Sequence, residues 1–256
     1  MTVTATNASP TKIIILGGLS TIAEAAARKW ANQGAHLLLA GRDKDRLEAI
    51  AADLRIRGGT ADIYEGDLAS IDAEKAMAAM VRQLGAVDVV LLAYGTLGDQ
   101  RLAETTLAEA RRILITNFTS ASVWCLAAAN VLEAQRRGVL IVLGSVAGDR
   151  GRASNYVYGA AKGGLAILVQ GIAHRLASTS ARAVLVKPGF VDTAMTASIA
   201  NKGLLWAKPD RIADVILFSS MPANRSRPLV YAPSFWRWIM YVVRFLPSFI
   251  VHRTKL

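Results

Sequence analysis

The sequence predicts an α/β protein built on a doubly wound parallel sheet with helices on both faces. Short apolar, β-branched segments alternate with segments of helical periodicity, which is the order expected for βαβ units. The segment 87–93 is apolar almost without interruption, which is typical of a strand buried on both faces. With 256 residues and 53% hydrophobic content, the chain is long and apolar enough for one substantial core.

The elements follow in order along the chain, without internal repeats or linkers. Each strand is expected where a short apolar run ends at a turn-forming residue or before a polar loop. Strands are predicted at 12–16, 36–40, 61–64, 87–93, 139–143 and 183–186, with a seventh at 229–231. Helices are predicted at about 21–33 and 43–57, as two long helices within 107–136, and from Tyr158 to about 178. The result is a single-domain, Rossmann-like arrangement.

Composition limits the class of protein. The single cysteine, Cys125, rules out an intramolecular disulfide, and the short, polar N-terminus without basic residues does not resemble a signal peptide. A cytoplasmic setting is therefore expected. The net charge is +11, but we find no zinc-ligand spacing, RNA-binding signature or helix-turn-helix pattern, so neither a metal site nor a nucleic-acid partner is predicted.

The most informative pattern is Ser145 followed by Tyr158 and Lys162. A phenol and an ammonium four residues apart lie on one face of a helix. Free tyrosine titrates near ~10, and a nearby cation favours the phenolate, which moves the group toward proton transfer at neutral pH. A tyrosine and lysine at this spacing also occur by chance, with the lysine solvated and the tyrosine packed. The upstream serine at a strand end favours the functional interpretation.

These residues resemble the catalytic serine, tyrosine and lysine of the short-chain dehydrogenase/reductase family, and Asn117 matches its fourth catalytic position. The resemblance covers nearly the whole chain. It implies reduction of a carbonyl by hydride from a nicotinamide cofactor, with Tyr158 as proton donor and Ser145 on the substrate oxygen. Lys162 would lower the pKa of Tyr158 and hold the ribose, and Asn117 would hold a water that relays protons to Lys162.

The segment from Ile13 to Ala23 is a strand, a loop and a helix start, the context in which backbone N–H groups bind a pyrophosphate. Gly17 matches the glycine-rich motif of the family, but Thr21 and Ala23 replace its later glycines. Thr21 places a side chain where phosphates approach, so the loop must bind differently or less tightly. The cofactor contacts expected here are Gly17, Leu19, Ser20, Thr21 and Ile22.

At the end of the second predicted strand, where NAD enzymes usually present an acid, the chain has Gly41 and Arg42. A guanidinium can bind a ribose phosphate through two hydrogen bonds, so NADP(H) is the predicted cofactor and NAD(H) the alternative. The alternative is that Arg42 has no role in binding and is a solvated arginine at the start of a helix.

The resemblance implies further cofactor contacts at the ends of later strands. Asp67 could equally cap the next helix, and Tyr94, a bulky departure from the family pattern, would pack on the sheet or form the floor of the pocket. The remaining predicted contacts are Asp67, Leu68, Ala93, Gly95, Pro188, Gly189, Val191 and Thr193.

Short segments around Tyr94, around Ser145 and in the C-terminus resemble one branch, the bacterial reductases of decaprenylphosphoryl-keto-pentose. That resemblance implies a lipid-linked carbonyl substrate. A general ketone or 3-oxoacyl reductase is the alternative, and a non-catalytic, cofactor-sensing interaction protein is a third hypothesis, which the intact Ser145, Tyr158 and Lys162 set disfavours.

The last segment is predicted to be amphipathic, so the chain divides into a disordered tail (1–10), a dinucleotide-binding catalytic domain (11–232) and a basic, aromatic C-terminal segment (233–256). From Met221 onward there are six basic residues and no acid: Arg225, Arg227, Arg237, Arg244, Arg253 and Lys255. The apolar stretch 234–246 is too short to span a membrane. One prediction is that this stretch lies on the anionic inner surface of the membrane. The alternative is that it packs against its own subunit or a partner subunit. The family resemblance and long apolar helices favour a homodimer or homotetramer.

Overall fold

The computed structural model describes residues 10–197, 199–200, 202–222, 227–251 and 253. The predicted N-terminal tail, apart from Pro10, and the basic residues Arg225 and Lys255 lie outside these residues. Within them, the expected doubly wound α/β fold is confirmed: seven parallel strands form one sheet with helices on both faces.

The strands of the main sheet all occur where apolar, β-branched segments were predicted. They are β1 (Lys12–Leu16), β2 (His36–Gly41), β3 (Thr60–Glu65), β4 (Val89–Leu92), β5 (Arg137–Leu143), β6 (Ser180–Pro188) and β9 (Leu229–Ala232). β1 has the predicted bounds, β4 is three residues shorter than predicted, and the other strands are one to five residues longer. They are arranged as β3-β2-β1-β4-β5-β6-β9. Two further strands, β7 (Phe190–Val191) and β8 (Trp206–Ala207), pair with each other and were not predicted.

Alternate side chains of β1 show why both faces are apolar. Ile13 and Ile15 belong to the core on one side of the sheet, whereas Ile14 and Leu16 belong to the core on the other. Because successive side chains of a strand point to opposite faces, a strand covered on both sides must be apolar at every position. The continuous apolar runs in the sequence follow from this.

Ten α-helices lie within the described residues. They are α1 (Thr21–Ala31), α2 (Lys44–Ile56), α3 (Ala73–Leu84), α4 (Gln100–Thr105), α5 (Leu107–Leu114), α6 (Ala121–Ala134), α7 (Tyr156–Leu176), α8 (Pro209–Ser220), α9 (Trp236–Phe245) and α10 (Ser248–Val251). The prediction missed α3, α4, α8 and α10. Asp72, not Asp67, caps α3, where its carboxylate accepts the backbone N–H groups of Glu74 and Lys75.

The two helices predicted within 107–136 are present as α5 and α6, but no loop separates them. The chain makes one continuous helical stretch, Leu107–Ala134, in which a π-helical segment, Ile115–Ser120, separates α5 from α6. By length and composition this stretch could cross a membrane, but Trp124 and Cys125 are buried in the core beside the sheet. The wider π turn turns the buried Asn117 inward, and such turns are frequent at functional sites.

The strand order changes direction between β1 and β4. In an open α/β sheet, ligands bind in the crevice at the carboxyl ends of the strands where the order reverses. A cleft of about 1120 Å³ opens at this edge, larger than the usual pocket for a small ligand.

Candidate functional site

The cleft brings together residues that are far apart in the sequence. It is lined by Ser145, Tyr158 and Lys162 and by all the predicted cofactor contacts from Gly17 to Thr193. Asn117 is the exception, because it lies behind the cleft wall and is completely buried. Residues outside the prediction that also line the cleft include Arg46, Arg152, Asn155, Met195 and Ile199.

Helix α7 presents Tyr158 and Lys162 from consecutive turns of one face, as their spacing predicts. Lys162 is buried, its ammonium donates a hydrogen bond to the Leu143 carbonyl at 3.0 Å, and its Nζ lies 5.9 Å from the Tyr158 ring centre. Ser145 follows β5, and its hydroxyl is hydrogen-bonded to Tyr158 while also accepting the Ala147 N–H at 3.1 Å. Two hydroxyl groups and an ammonium therefore converge at one point of the cleft.

The pKa of Tyr158 is shifted in the direction opposite to that predicted from the nearby lysine. Burial raises the pKa of Tyr158, an effect that outweighs the opposing hydrogen bond with Ser145. Burial also lowers the pKa of Lys162 to about 8. The protein by itself therefore keeps Tyr158 as a neutral phenol at neutral pH. This is the protonation state that a proton donor requires.

The Asn117 side chain has three backbone partners. Its Nδ2 donates to the carbonyls of Ile113 and Thr96, both at 2.8 Å, and its Oδ1 accepts the Thr96 N–H at 3.0 Å. These bonds hold the loop after β4 against the π turn. A Cβ added to Gly95 would lie 2.7 Å from the Asn117 oxygen, so glycine is required for this approach. The proton relay through Asn117 stays a prediction.

The loop between β1 and α1 fits a dinucleotide despite the replaced glycines. Gly17 has φ +94°, and a Cβ there would lie 2.6 Å from the Tyr94 Cβ. Ser20 precedes α1 without capping it through its side chain, so the first N–H groups of the helix have no side-chain acceptor from Ser20, and this end of the helix lines the cleft. A helix N-terminus in this state is suited to a phosphate.

Tyr94 packs behind this loop. Its hydroxyl lies 2.6 Å from that of Ser120, and both the Ser120 hydroxyl and the Trp124 indole N–H donate to the Leu68 carbonyl. Burial raises the pKa of Tyr94, so the phenol stays neutral. The bulky residue that departs from the family pattern thus forms the floor of the pocket and fixes Leu68. Asp67 beside it accepts the Ala69 N–H, a local turn contact.

At the far end of the cleft, Arg42 and Arg46 are both exposed and line the wall after β2. Asp43 between them caps α2 by accepting the Arg46 N–H at 3.1 Å. Arg46 was missed by the sequence analysis, although its spacing of four residues from Arg42 on a predicted helix start could have revealed it.

The segment after β6 is held by contacts that the sequence did not predict. The Thr196 hydroxyl donates to the Val191 carbonyl at 2.7 Å and accepts the Thr193 N–H at 3.1 Å. The ring of Phe190 stacks on Trp206 and meets Trp236 edge-on, with ring centres 5.4 and 5.2 Å apart. Trp236 belongs to α9, so the C-terminal segment supports the loop that lines the cleft.

Residues 11–203 match the family described as short chain dehydrogenase. The chain belongs to the short-chain dehydrogenase family. It is similar to an uncharacterized oxidoreductase of Mycobacterium tuberculosis, with 35% identity over 252 residues that cover 97% of this chain and 98% of the relative. It is also 32% identical to a 3-oxoacyl-[acyl-carrier-protein] reductase of Bos taurus, over 75% of this chain and 79% of that one.

Among solved structures, the fold is similar to that of an alcohol dehydrogenase from Thermococcus sibiricus complexed with 5-hydroxy-NADP. The TM-score is 0.77 at 25% identity, and the match covers 87% of this chain and 96% of the other. The protein is therefore an oxidoreductase of the short-chain dehydrogenase/reductase type.

Proposed function

We propose that this oxidoreductase reduces a ketone to a secondary alcohol, with NADP(H) as its preferred cofactor and NAD(H) as the alternative. The observation that carries the proposal is the convergence of Tyr158, Ser145 and Lys162 in the cleft at the switch point of the sheet. When bound, the nicotinamide cofactor supplies the hydride, and the residues of the chain position the carbonyl and move the proton.

Each of the three residues has a role that its surroundings support. Tyr158, kept neutral by burial, donates its proton to the oxygen that becomes negatively charged as the carbonyl is reduced. Ser145, hydrogen-bonded to Tyr158, holds the same oxygen. Lys162, anchored on the Leu143 carbonyl, places a positive charge below the phenol and stabilises the phenolate that remains.

The preference for NADP(H) rests on the charges beyond β2. Two exposed guanidinium groups, those of Arg42 and Arg46, line the cleft where the adenosine ribose is expected. The one carboxylate between them, Asp43, is engaged as a helix cap. A ribose phosphate would therefore meet two positive charges, whereas a free ribose hydroxyl would find no acid directed at it.

Replacing Arg42 is expected to weaken NADPH binding more than NADH binding. In Arg42→Ala we expect the Kd for NADPH to rise roughly 10- to 100-fold, because a hydrogen-bonded ion pair with phosphate is lost. The Kd for NADH should change less than threefold. Fluorescence titration of both cofactors measures this, with Arg82→Ala on the exposed side of α3 as the control for lost charge. Equal losses for the two cofactors would contradict the NADP preference.

The proposed substrate is a polyprenyl-phosphate-linked keto-sugar, with a general ketone or a 3-oxoacyl group as the alternative. Helix α9 supports a lipid-linked substrate because only one of its faces is used by the fold. Trp236 and Met240 are 3% and 2% exposed, packed with Val146 and Tyr231, whereas Trp238 and Phe245 on the outer face are 64% and 72% exposed. The relative with 3-oxoacyl reductase activity in its name favours the alternative.

The outer face of α9 combines apolar and positive groups. Tyr241 packs on Phe245, and the Arg237 guanidinium lies 4.6 Å from the Trp238 ring centre. Aromatic rings with arginines and no acid are typical of helices that lie at an anionic membrane surface. We therefore propose that α9 binds the membrane peripherally from the cytoplasm and presents the cleft to a lipid-linked substrate.

Replacing outer-face residues is expected to abolish binding to anionic vesicles. The double variant Trp238→Ser and Phe245→Ser should be lost from the pellet in co-sedimentation with phosphatidylglycerol vesicles, while the unchanged protein pellets with them. The double variant Ile56→Ser and Leu107→Ser on α2 and α5, which removes two comparably exposed apolar side chains away from α9, is the matched control and should still pellet. Retention of the double variant would contradict a membrane role for α9.

Helices α6 and α7 also carry apolar side chains that no other part of the described chain covers. Val123, Leu126 and Ile167 of α6 and α7 are exposed. We propose that these helices form the contact of a homodimer or homotetramer.

A further inference from the structure

The wall of the cleft contains two buried polar atoms that have no hydrogen-bond partner among the described residues. They are the Nε of Arg152 and the Oδ1 of Asn155. Both residues line the cleft together with Ser145 and Tyr158, and neither belongs to the predicted cofactor contacts. Burying a donor or an acceptor without a partner is unfavourable, so such atoms in a cleft wall indicate a bound group that supplies the missing bonds.

The charge of Arg152 is not neutralised by an ion pair within the described part of the chain. Burial lowers its pKa, and the negative charge of Asp149 acts in the opposite direction. Asp149, however, is already engaged: it is buried, paired with the Lys187 ammonium, and accepts the Tyr231 hydroxyl at 2.8 Å. Its charge is thus shared with Lys187, and the guanidinium of Arg152 faces the cleft without a carboxylate of its own.

The position of this pair in the fold separates it from the cofactor phosphate expected near Arg42. Arg152 follows β5, whereas Arg42 follows β2, and β1 and β4 lie between these strands. Three steps of about 4.8 Å separate the two strands, so the two arginines serve opposite ends of the cleft. Asn155 precedes α7 directly, and its N–H donates to the Arg152 carbonyl at 3.1 Å, which ties the pair to the turn that carries Tyr158.

We infer that Arg152 and Asn155 form a substrate subsite for a phosphate ester that carries a hydroxyl group. The guanidinium of Arg152 binds the phosphate oxygens, and the Asn155 Oδ1 accepts a hydrogen bond from the hydroxyl. The inference rests on the proposed function, because it assigns the substrate end of the same cleft. It adds to the proposed function the two residues that hold the phosphate and a hydroxyl of the carbonyl substrate, whether that phosphate is attached to a lipid or to a water-soluble sugar.

The test is calorimetric binding of glycerol 1-phosphate to the full-length protein saturated with NADP⁺, which blocks the phosphate site near Arg42. We expect binding to the unchanged protein, at least tenfold weaker binding to Arg152→Met, and unchanged binding to the control Arg82→Met. Asn155→Ala should weaken glycerol 1-phosphate but not inorganic phosphate, which has no carbon-bound hydroxyl. Absence of binding, or equal affinity in Arg152→Met, would overturn the inference.

Two further arms make the result specific. NADP⁺ affinity, measured in the same preparations, reports on folding and on the proposed cofactor site, so a failure of the proposed function is distinguished from a failure of the subsite. 1-Hexanoylglycerol 3-phosphate, which keeps a hydroxyl beside the phosphate ester and adds a short apolar chain, distinguishes the sources of the anion. Binding tighter than that of glycerol 1-phosphate would assign a lipid phosphate, and weaker binding a water-soluble ester.

Discussion

Tyr158→Phe is expected to lower kcat for ketone reduction by about 10²- to 10⁴-fold, the usual contribution of a positioned proton donor. Phenylalanine fills the same space beside Lys162 but removes the hydroxyl that contacts Ser145. NADPH binding and thermal stability should change little, so the loss would be catalytic. Steady-state kinetics with NADPH and a small diketone, beside fluorescence titration of NADPH, measure both quantities.

Tyr156→Phe is the matched control for this variant. It removes the same hydroxyl two residues earlier on α7, from an exposed side chain that does not line the cleft, and should leave kcat unchanged. If Tyr158→Phe retained more than a tenth of the activity, another group would have to supply the proton, and the assignment of Tyr158 would fail.

The pKa of Tyr158 gives this prediction a pH dependence. Because burial raises the pKa, the phenol stays protonated through neutral pH, and the reduction rate should not fall between about pH 6 and 8 through loss of this proton. The rate should fall from about pH 8 upward, first as Lys162 loses the positive charge that stabilises the phenolate and then as the phenol ionises. The reverse reaction needs the phenolate and should become faster as the pH rises.

Local patterns in the sequence predicted the strands and the catalytic face of α7. The apolar runs of β1 to β6 and the spacing of Tyr158 and Lys162 are properties of neighbouring residues, so they could be recognised without knowledge of the fold. The helices α3 and α8 were missed although each has a clear start, Asp72 as a cap and Pro209 in the first turn. Here the signals were present in the sequence and were overlooked.

Other features depend on contacts between distant segments. Asn117 was predicted to hold a water that relays protons to Lys162, and that role stays a prediction. Its burial behind the cleft wall follows from the π turn and from its bonds to Thr96, which direct its amide into the protein and join segments distant in the sequence. In the protein alone the Tyr158 pKa is raised rather than lowered as predicted, because the groups around the phenol remove water from it, and those groups come together only in the assembled cleft. The partnerless atoms of Arg152 and Asn155 likewise appear only when the cleft is assembled.

The packing of the C-terminal segment also depends on contacts between distant residues. The second prediction with a large expected effect is the loss of stability when its buried tryptophan is removed. Trp236→Ala should lower the free energy of unfolding by roughly 3–5 kcal/mol, the usual cost of removing a fully buried large aromatic side chain. The indole fills the space between Val146, which follows Ser145, and the ring of Phe190. Removing it should also raise the Kd for NADPH, because the loop after β6 loses its support.

Thermal denaturation and NADPH titration measure these two effects. Trp238→Ala is the control on the same helix, where an exposed indole is removed and the stability should change by no more than about 0.5 kcal/mol. Comparable losses in the two variants would mean that α9 does not contribute to the core through Trp236.

A second substitution tests whether the contact between α9 and the cleft is direct. A Cβ on Gly189 would lie 1.9 Å from the Trp236 Nε1, so Gly189→Ala forces the indole or the loop after β6 to move. We expect Gly189→Ala to be strongly destabilising in the unchanged protein and much less so in the Trp236→Ala background, because the atom it strikes is gone. If the two losses added instead, the loop would not rest on Trp236. A strong coupling would mean that α9 helps to fix the loop that lines the cleft. A protein shortened by the C-terminal segment would then lose stability, so its failure to bind vesicles would not by itself demonstrate that α9 binds the membrane.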